Sequence, residues 1–167
     1  MAPEQALWAS LFDTCQAALL LLARQYTGCC AEAEDVVQEA FLRVIRGSQQ
    51  PLDDPKAYMF AAVRNTAIDF VKREDRRNRR EAVVAQHSDA EQMFQCPLEM
   101  EERRAAIEAA LQGLPKDQRE VIVLKVWSEL TSPQIAVALK TNERTVASRY
   151  QYAIAKLRKL LDGMEDE

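Results

Sequence analysis

The sequence has little of what catalysis or metal binding requires. It contains one histidine, His87, and four cysteines that form no CxxC pair. A zinc site needs closely spaced Cys and His ligands, and a Ser-His or Cys-His hydrolase needs a histidine base, so both classes are disfavoured. Adjacent Cys29 and Cys30 are poorly placed to bridge each other, and we expect reduced thiols. We predict no enzyme activity, metal or cofactor.

Glycine and proline are also scarce, at 4 and 6 residues. The chain is instead rich in Ala, Leu, Glu, Arg and Gln, which favour helices over strands, and its 48% apolar content can supply buried cores. The apolar stretch from residue 7 to 22 is broken by Asp13 and Gln16, so neither export nor a membrane span is indicated. We therefore expect an all-α protein that resides in the cytoplasm.

The charges are segregated along the chain, although the formal net charge is only -4. Residues 51–80 carry 8 basic and 5 acidic side chains, and residues 114–161 carry 9 basic and 4 acidic. Between them, residues 81–113 carry 2 basic and 7 acidic, and the tail 162–167 carries 4 acidic. Two basic blocks separated by an acidic one suggest two nucleic-acid contacts on one chain. A solvated charge run is the alternative for each block taken alone.

The first half of the chain predicts three helices. The first spans about residues 3–26, with an inner face at helical spacing: Leu7, Leu11, Cys15, Leu19 and Leu22. The second spans about residues 31–46, with Val37, Phe41, Val44 and Ile45 pointing inward. On its opposite side Asp35, Gln38 and Glu39 fall at i, i+3 and i+4 and form one patch. Because these three side chains are polar and lie opposite the apolar face, packing in the core does not account for them.

The third helix is predicted to begin at Asp54-Pro55, an N-cap followed by proline at the first helical position. The loop 47–53 precedes it. One stripe of the helix is apolar and predicted to be core: Met59, Phe60, Val63, Ala67, Phe70 and Val71. The opposite stripe suits a surface that holds phosphates and touches bases: Tyr58, Asn65, Asp69, Lys72 and Arg76. A merely soluble helix end is the alternative.

In residues 81–104 the apolar side chains do not recur at a regular helical spacing. This segment is predicted to link two domains, 1–80 and 105–167. In the second domain, Gly113-Leu114-Pro115 marks the start of a helix through Trp127. Its apolar side chains are predicted to be mostly core: Val121, Ile122, Leu124, Val126 and Trp127.

A helix-turn-helix is predicted after this helix. Thr131 can cap the first helix and Gln134 stands in the capping-box position. Ala136 provides the small residue at the crossing, Val146 the apolar anchor, and Asn142 a cap for the second helix. The inner stripe of that helix is predicted from its period: Val146, Tyr150, Ala153, Leu157, Leu160 and Leu161. Lys140 occupies the turn position that usually carries glycine, at a cost of roughly 1 kcal/mol if its backbone is left-handed.

Taken together, residues 7–80 and 105–161 resemble the extracytoplasmic-function (ECF) sigma factors of bacterial RNA polymerase. The likeness to sigma region 2 lies in residues 33–44 (AEDVVQEAFLRV), 54–58 (DPKAY) and 63–69 (VRNTAID). The likeness to region 4 lies in residues 114–121 (LPKDQREV), 130–131 (LT) and 145–149 (TVASR). Ala147 stands where the family often has lysine. That change and Lys140 depart from the family pattern at the region that reads the -35 element.

The resemblance implies a function for each surface. Asp35, Gln38 and Glu39 would bind the clamp helices of core RNA polymerase, the flap being a further polymerase contact. The 47–53 loop and the third helix would capture the melted -10 element of promoter DNA, through Tyr58, Arg64, Asn65, Asp69, Lys72, Arg73 and Arg76. The helix-turn-helix would read the -35 element as duplex, through Arg144, Thr145, Ser148, Arg149, Gln151 and Tyr152. The acidic linker would thread through polymerase toward the RNA exit path.

Two other functions stay open from the sequence. A conventional helix-turn-helix regulator would not need the patch at Asp35, Gln38 and Glu39. A helical protein-interaction module would not need two basic blocks. The sequence leaves undecided whether an anti-sigma factor is a further partner.

Overall fold

A computed structural model describes residues 3–47, 53–81 and 109–165. The chain divides into two compact units, Met1–Cys96 and Pro97–Glu167. Every regular element in the described ranges is a helix, and the all-α prediction is confirmed. The predicted linker 81–104, apart from Glu81, and residues 48–52 of the predicted loop lie outside the described residues, as does His87.

The first unit is built from three helices that pack against one another: α1 (Pro3–Arg24), α2 (Cys30–Gly47) and α3 (Pro55–Glu81). Its largest fully buried side chains come from all three helices: Trp8, Leu19, Leu22, Val36, Val37, Val44, Met59 and Phe60. Asp54 caps α3, since its Oδ1 accepts a hydrogen bond from the Ala57 N–H at 2.9 Å. At the start of α2, Glu32 accepts from the backbone N–H of Gly28 at 2.8 Å. The predicted N-cap of α3 at Asp54 is thereby confirmed.

The inner face of α1 differs from the prediction at its beginning. Leu7 is 45% exposed, whereas Trp8 is 2% exposed. Trp8 buries a larger apolar surface than leucine would, so its position decides which side of the helix faces the core.

Between Gln5 and Arg24, α1 is long and apolar enough to cross a membrane. However, it packs on α2 and α3, with Leu19 and Leu22 fully buried.

The cysteines differ from one another. Cys15 and Cys29 are free, and Cys30 is disulfide-bonded. Because Cys29 is free, the two adjacent cysteines do not bridge each other, as expected. The expectation that all four thiols are reduced is wrong for Cys30. Burial raises the pKa of the Cys15 thiol, an effect that Lys56 opposes.

The second unit contains α4 (Lys116–Ile122), a π-helical turn (Val123–Trp127), α5 (Ser132–Leu139) and α6 (Glu143–Glu165). Residues 109–112 are also helical. Leu111, Leu114, Ile122 and Ala153 form a buried cluster, against which Tyr150, Ile154 and Leu157 pack. Gly113 lies under α6, where an added Cβ would stand 2.9 Å from Leu160 Cδ1. This glycine permits the close approach of α6.

Three apolar side chains predicted to be core are exposed in this unit. Val126 is 50% exposed and Trp127 is 40% exposed. A π turn is wider than an α turn and changes the direction in which successive side chains point. In this turn Val123 and Leu124 are buried, whereas Val126 and Trp127 face solvent. Leu161 is 41% exposed.

Candidate functional site

The patch of Asp35, Gln38 and Glu39, here called the acidic patch, lies on the solvent side of α2. Asp35 and Gln38 are exposed, and the Glu39 side chain is 35% exposed. Beside it, Gln38 and Glu34 line a groove of about 270 Å³ between α1 and α2, whose apolar lining comes from Phe12, Leu20 and Val37. The structure therefore presents accessible carboxylates next to a groove of mixed polar and apolar lining, a combination that suits contact with another protein.

The acidic patch is joined to the basic helix α3 by ion pairs. Glu39 Oε2 lies 3.0 Å from Arg73 Nη2, and Glu39 Oε1 also pairs with Arg43 on its own helix. The Nη1 atom of Arg43 lies 3.7 Å from Asp69 Oδ2 on α3. These four residues form one charge network across the α2–α3 surface. The two sets of predicted site residues, one for polymerase and one for DNA, therefore meet at Glu39, Asp69 and Arg73.

The outer stripe of α3 lies where the sequence placed it. Tyr58 is 41% exposed and its ring stands 6.3 Å from that of Trp8, centroid to centroid. Asn65 is half-buried, and Asp69, Lys72 and Arg76 are exposed. Arg64 is half-buried. The stripe thus offers one aromatic, one amide and several cations along a single helix, which is a surface able to hold a nucleic-acid strand.

The turn between α5 and α6 has the geometry of a helix-turn-helix. The Thr131 N–H donates to Gln134 Oε1 at 2.8 Å and the Gln134 N–H donates to Thr131 Oγ1 at 3.4 Å, which completes the capping box. Lys140 is left-handed (φ 53°, ψ 48°) and ends α5. Asn142 caps α6 by accepting from the Thr145 N–H at 2.8 Å. These features confirm the predicted caps, and the backbone of Lys140 is left-handed, the condition on which the predicted cost depends.

The crossing of α5 and α6 is tightly packed. Ala136 is 7% exposed and Val146 is 1% exposed, as the small residue and the anchor require. The opposite face of α6 is open to solvent, with Arg144, Ser148 and Gln151 exposed and Tyr152 67% exposed. Thr145 is half-buried beside them. An exposed polar face on a second helix held in this way can enter a major groove.

Arg149 differs from the other side chains predicted for this face. Its Nε atom lies 3.0 Å from Asp117 Oδ2 on α4, and its side chain is 31% exposed. Glu120, one turn further along α4, is 3% exposed. Burial raises the pKa of Glu120 to about 7, and the charge of Arg149 acts in the opposite direction. The structure therefore places Arg149 between the exposed face of α6 and the core.

Sequence reasoning missed three residues of these surfaces: Arg43, Asp117 and Glu120. Arg43 could have been found, because Glu39 and Arg43 stand at i and i+4 on one helix. Asp117 and Glu120 gave no such signal, since their partner Arg149 is distant in the sequence. Among the described residues, no group of three or more His, Cys, Asp or Glu side chains could hold a metal ion.

Two family models match the chain, one in each unit. Residues 11–77 match Sigma-70 region 2, and residues 104–157 match Sigma-70, region 4. The first match covers the helices that carry the acidic patch and the outer stripe of α3. The second covers the helix-turn-helix.

Curated relatives match over nearly the whole chain. The ECF RNA polymerase sigma factor SigL of Mycobacterium tuberculosis is 35% identical over 98% of this chain and 93% of its own length. The ECF RNA polymerase sigma factor EcfG of Rhodopseudomonas palustris is 34% identical over 89% of this chain and 82% of its own length.

Two solved structures share the fold. CnrH, in complex with the cytosolic domain of CnrY, has a TM-score of 0.66 and 26% identity over 95% of this chain and 90% of its own. The sigma factor RpoE, in complex with the anti-sigma factor NepR from Bartonella quintana, has a TM-score of 0.70 and 24% identity over 92% of this chain and 95% of its own.

Proposed function

Because the chain belongs to the ECF family of RNA polymerase sigma factors, a polymerase-associated class of promoter-specific transcription initiation factors, we propose which of its surfaces perform each step. The observation that carries the proposal is the presence of two accessible polar surfaces in the two matched regions. One combines the acidic patch with the outer stripe of α3, and the other is the outward face of α6. Sigma factors are not enzymes, and they act with polymerase in the cytoplasm, where we place this protein.

The acidic patch is assigned to the clamp helices of core polymerase. Asp35 and Gln38 are exposed, and the adjoining groove places the apolar side chains of Phe12, Leu20 and Val37 beside Gln38. Replacing Asp35 and Glu39 together with arginine should abolish core binding and leave the fold intact, because Asp35 is exposed and the two ion pairs of Glu39 lie at the surface, where each contributes at most about 1 kcal/mol. Asp13→Arg, at an exposed position of α1, is the matched control. Full co-purification of the double variant with core polymerase would refute the assignment.

The outer stripe of α3 is assigned to the melted -10 element. The candidate contacts are the stripe residues Tyr58, Asn65, Asp69, Lys72 and Arg76, together with Arg64 and Arg73. Unstacked bases can lie on an exposed aromatic ring such as Tyr58, while cations follow the backbone phosphates. Alanine at Asn65 or Lys72 should impair open-complex formation, measured as lost permanganate reactivity of thymines in the melted region. Normal reactivity in both variants would remove the stripe from the melting step.

The outward face of α6 is assigned to the -35 element, with Arg144, Thr145, Ser148, Gln151 and Tyr152 as candidate contacts. Arg144 leads the helix and is exposed, so it can reach a base edge in the major groove.

The same unit exposes the apolar pair Val126 and Trp127, which we assign to the polymerase flap since exposed apolar surface favours a protein contact.

The domain boundaries follow from these assignments. Residues 1–80 would form the core-binding and -10-reading domain, residues 81–104 the acidic linker through polymerase, and residues 105–167 the -35-reading domain with its acidic tail.

We also propose an anti-sigma partner. The support is the fold shared with the sigma factor RpoE, which was solved with an anti-sigma factor.

Run-off transcription with core polymerase tests the proposal as a whole. The chain should direct initiation from a promoter that carries its -10 and -35 elements, and it should fail on a template with both elements scrambled. Equal initiation from both templates, or none from either, would refute the proposal. A conventional regulator is not favoured, because residues 11–77 match region 2 in addition to the region 4 match.

A further inference from the structure

Arg149 lies at the border between the two sides of α6. At 3.6 residues per turn it is rotated about 140° from Arg144, and thus toward the side where Val146 and Ala153 are buried. Its Nε atom reaches Asp117 on α4 at 3.0 Å. The guanidinium is therefore directed at the neighbouring helix, while Arg144, Ser148 and Gln151 are exposed.

One carboxylate of α4 pairs with Arg149. The Asp117 Oδ2 atom lies 3.0 Å from Arg149 Nε, and the Asp117 side chain is 49% exposed. Glu120 is buried one turn later, and because burial raises its pKa to about 7, Asp117 is the partner that carries the charge. An arginine paired with a carboxylate in this way attracts a phosphate less strongly than an unpaired arginine does.

We propose that Arg149 is a positioning residue, which ties α6 to Asp117 of α4 and so fixes the angle at which Arg144, Ser148 and Gln151 meet DNA. This inference rests on the proposed role of α6 at the -35 element. It removes Arg149 from the direct contacts that the family resemblance implied. Asp117 becomes a determinant of promoter affinity although it contacts no DNA.

The test is the salt dependence of promoter binding by the reconstituted holoenzyme. A cation that neutralises a phosphate contributes about 0.9 to the slope of log K against log salt. Asp117→Asn and Arg149→Ala should each weaken binding by about two- to fivefold, the range of one partly exposed ion pair, with no change of slope. The double variant should be no weaker than the weaker single variant, because both remove the same contact.

The decisive variant is Asp117→Asn, which changes a partly exposed side chain and leaves the cores untouched. If Arg149 were a phosphate contact, Asp117→Asn would release it and strengthen binding, and Arg149→Ala would lower the slope by about 0.9. Either result overturns the inference. Glu129→Gln, which removes an exposed negative charge from the same unit, is the control for a general gain in attraction to DNA.

Failure of this inference is distinguishable from failure of the proposed function. If the wild-type holoenzyme shows no preference for the promoter over a scrambled -35 element, the role of α6 is wrong and the inference falls with it. If the wild type is selective and Asp117→Asn binds more tightly than Glu129→Gln, only the positioning role is wrong.

Discussion

The buried carboxyl of Glu120 should make the second unit less stable as the pH rises. In the folded chain burial raises the pKa of this group from 4.5 to about 7. Between these two pH values the folded unit holds a proton that the unfolded chain has released, so unfolding becomes easier as the pH increases. The contribution to stability is largest below about pH 4.5 and is lost by pH values above about 7.

The size of the effect follows from the shift. Each unit of pKa difference corresponds to about 1.4 kcal/mol, so a rise from 4.5 to about 7 gives a total of about 3 kcal/mol. Between pH 5 and pH 8 the loss is about 2 to 3 kcal/mol. Glu120→Gln replaces the carboxyl by a neutral group of the same shape. The variant should therefore exceed the wild type in stability by about 3 kcal/mol at pH 8 and by about 1 kcal/mol at pH 5.

The chain offers a direct assay, because it has two tryptophans, one in each unit. In a Trp8→Phe background, urea unfolding followed by Trp127 fluorescence reports on the second unit alone. Glu143→Gln, at an exposed position, is the control and should retain the pH dependence of the wild type. If Glu120→Gln shows the same pH dependence as the wild type, Glu120 is not the group responsible and the argument from its burial is wrong.

Three further predictions concern the helix-turn-helix and the whole chain. Arg144→Ala should weaken selective binding to the -35 element by about 1–3 kcal/mol, measured with holoenzyme on matched and scrambled promoters; unchanged selectivity would transfer the contact to Ser148 or Gln151. Lys140→Gly should stabilise the second unit by about 1 kcal/mol, because it relieves a left-handed backbone; a loss in urea midpoint would contradict this. The free protein should bind promoter DNA poorly near physiological salt and become a specific binder with core polymerase, since its net charge is -4; tight selective binding in an anisotropy assay without core would argue against it.

Local features of the fold were predictable from the sequence, because their physical causes lie within a few residues. Asp54, Thr131 and Asn142 cap helices through hydrogen bonds to backbone amides three residues away, and the spacing of apolar residues identified the inner face of α3. Trp127 was misplaced because a π turn interrupts the helical period on which the prediction depended.

Contacts between helices were not predictable in the same way. The pair of Glu39 and Arg73 joins residues 34 positions apart, and no local pattern indicates it. The same holds for Arg149 and Asp117, whose pairing changes the role expected for Arg149. The candidate residues were identified largely by exposure and residue type, whereas their partners depended on the packing of helices distant in the sequence.

The charge network across α2 and α3 has a thermodynamic consequence for a factor that binds two macromolecules. If Glu39 contacts polymerase, its carboxylate can no longer neutralise Arg73 fully, and Arg73 gains attraction for a phosphate. The two binding events are then linked, and linkage is reciprocal: DNA held by Arg73 would favour polymerase at Glu39 by the same free energy. Because the Arg73 side chain is 52% exposed and that of Glu39 35% exposed, this coupling is at most about 1 kcal/mol. It would bias the order of assembly without making either partner obligatory for the other.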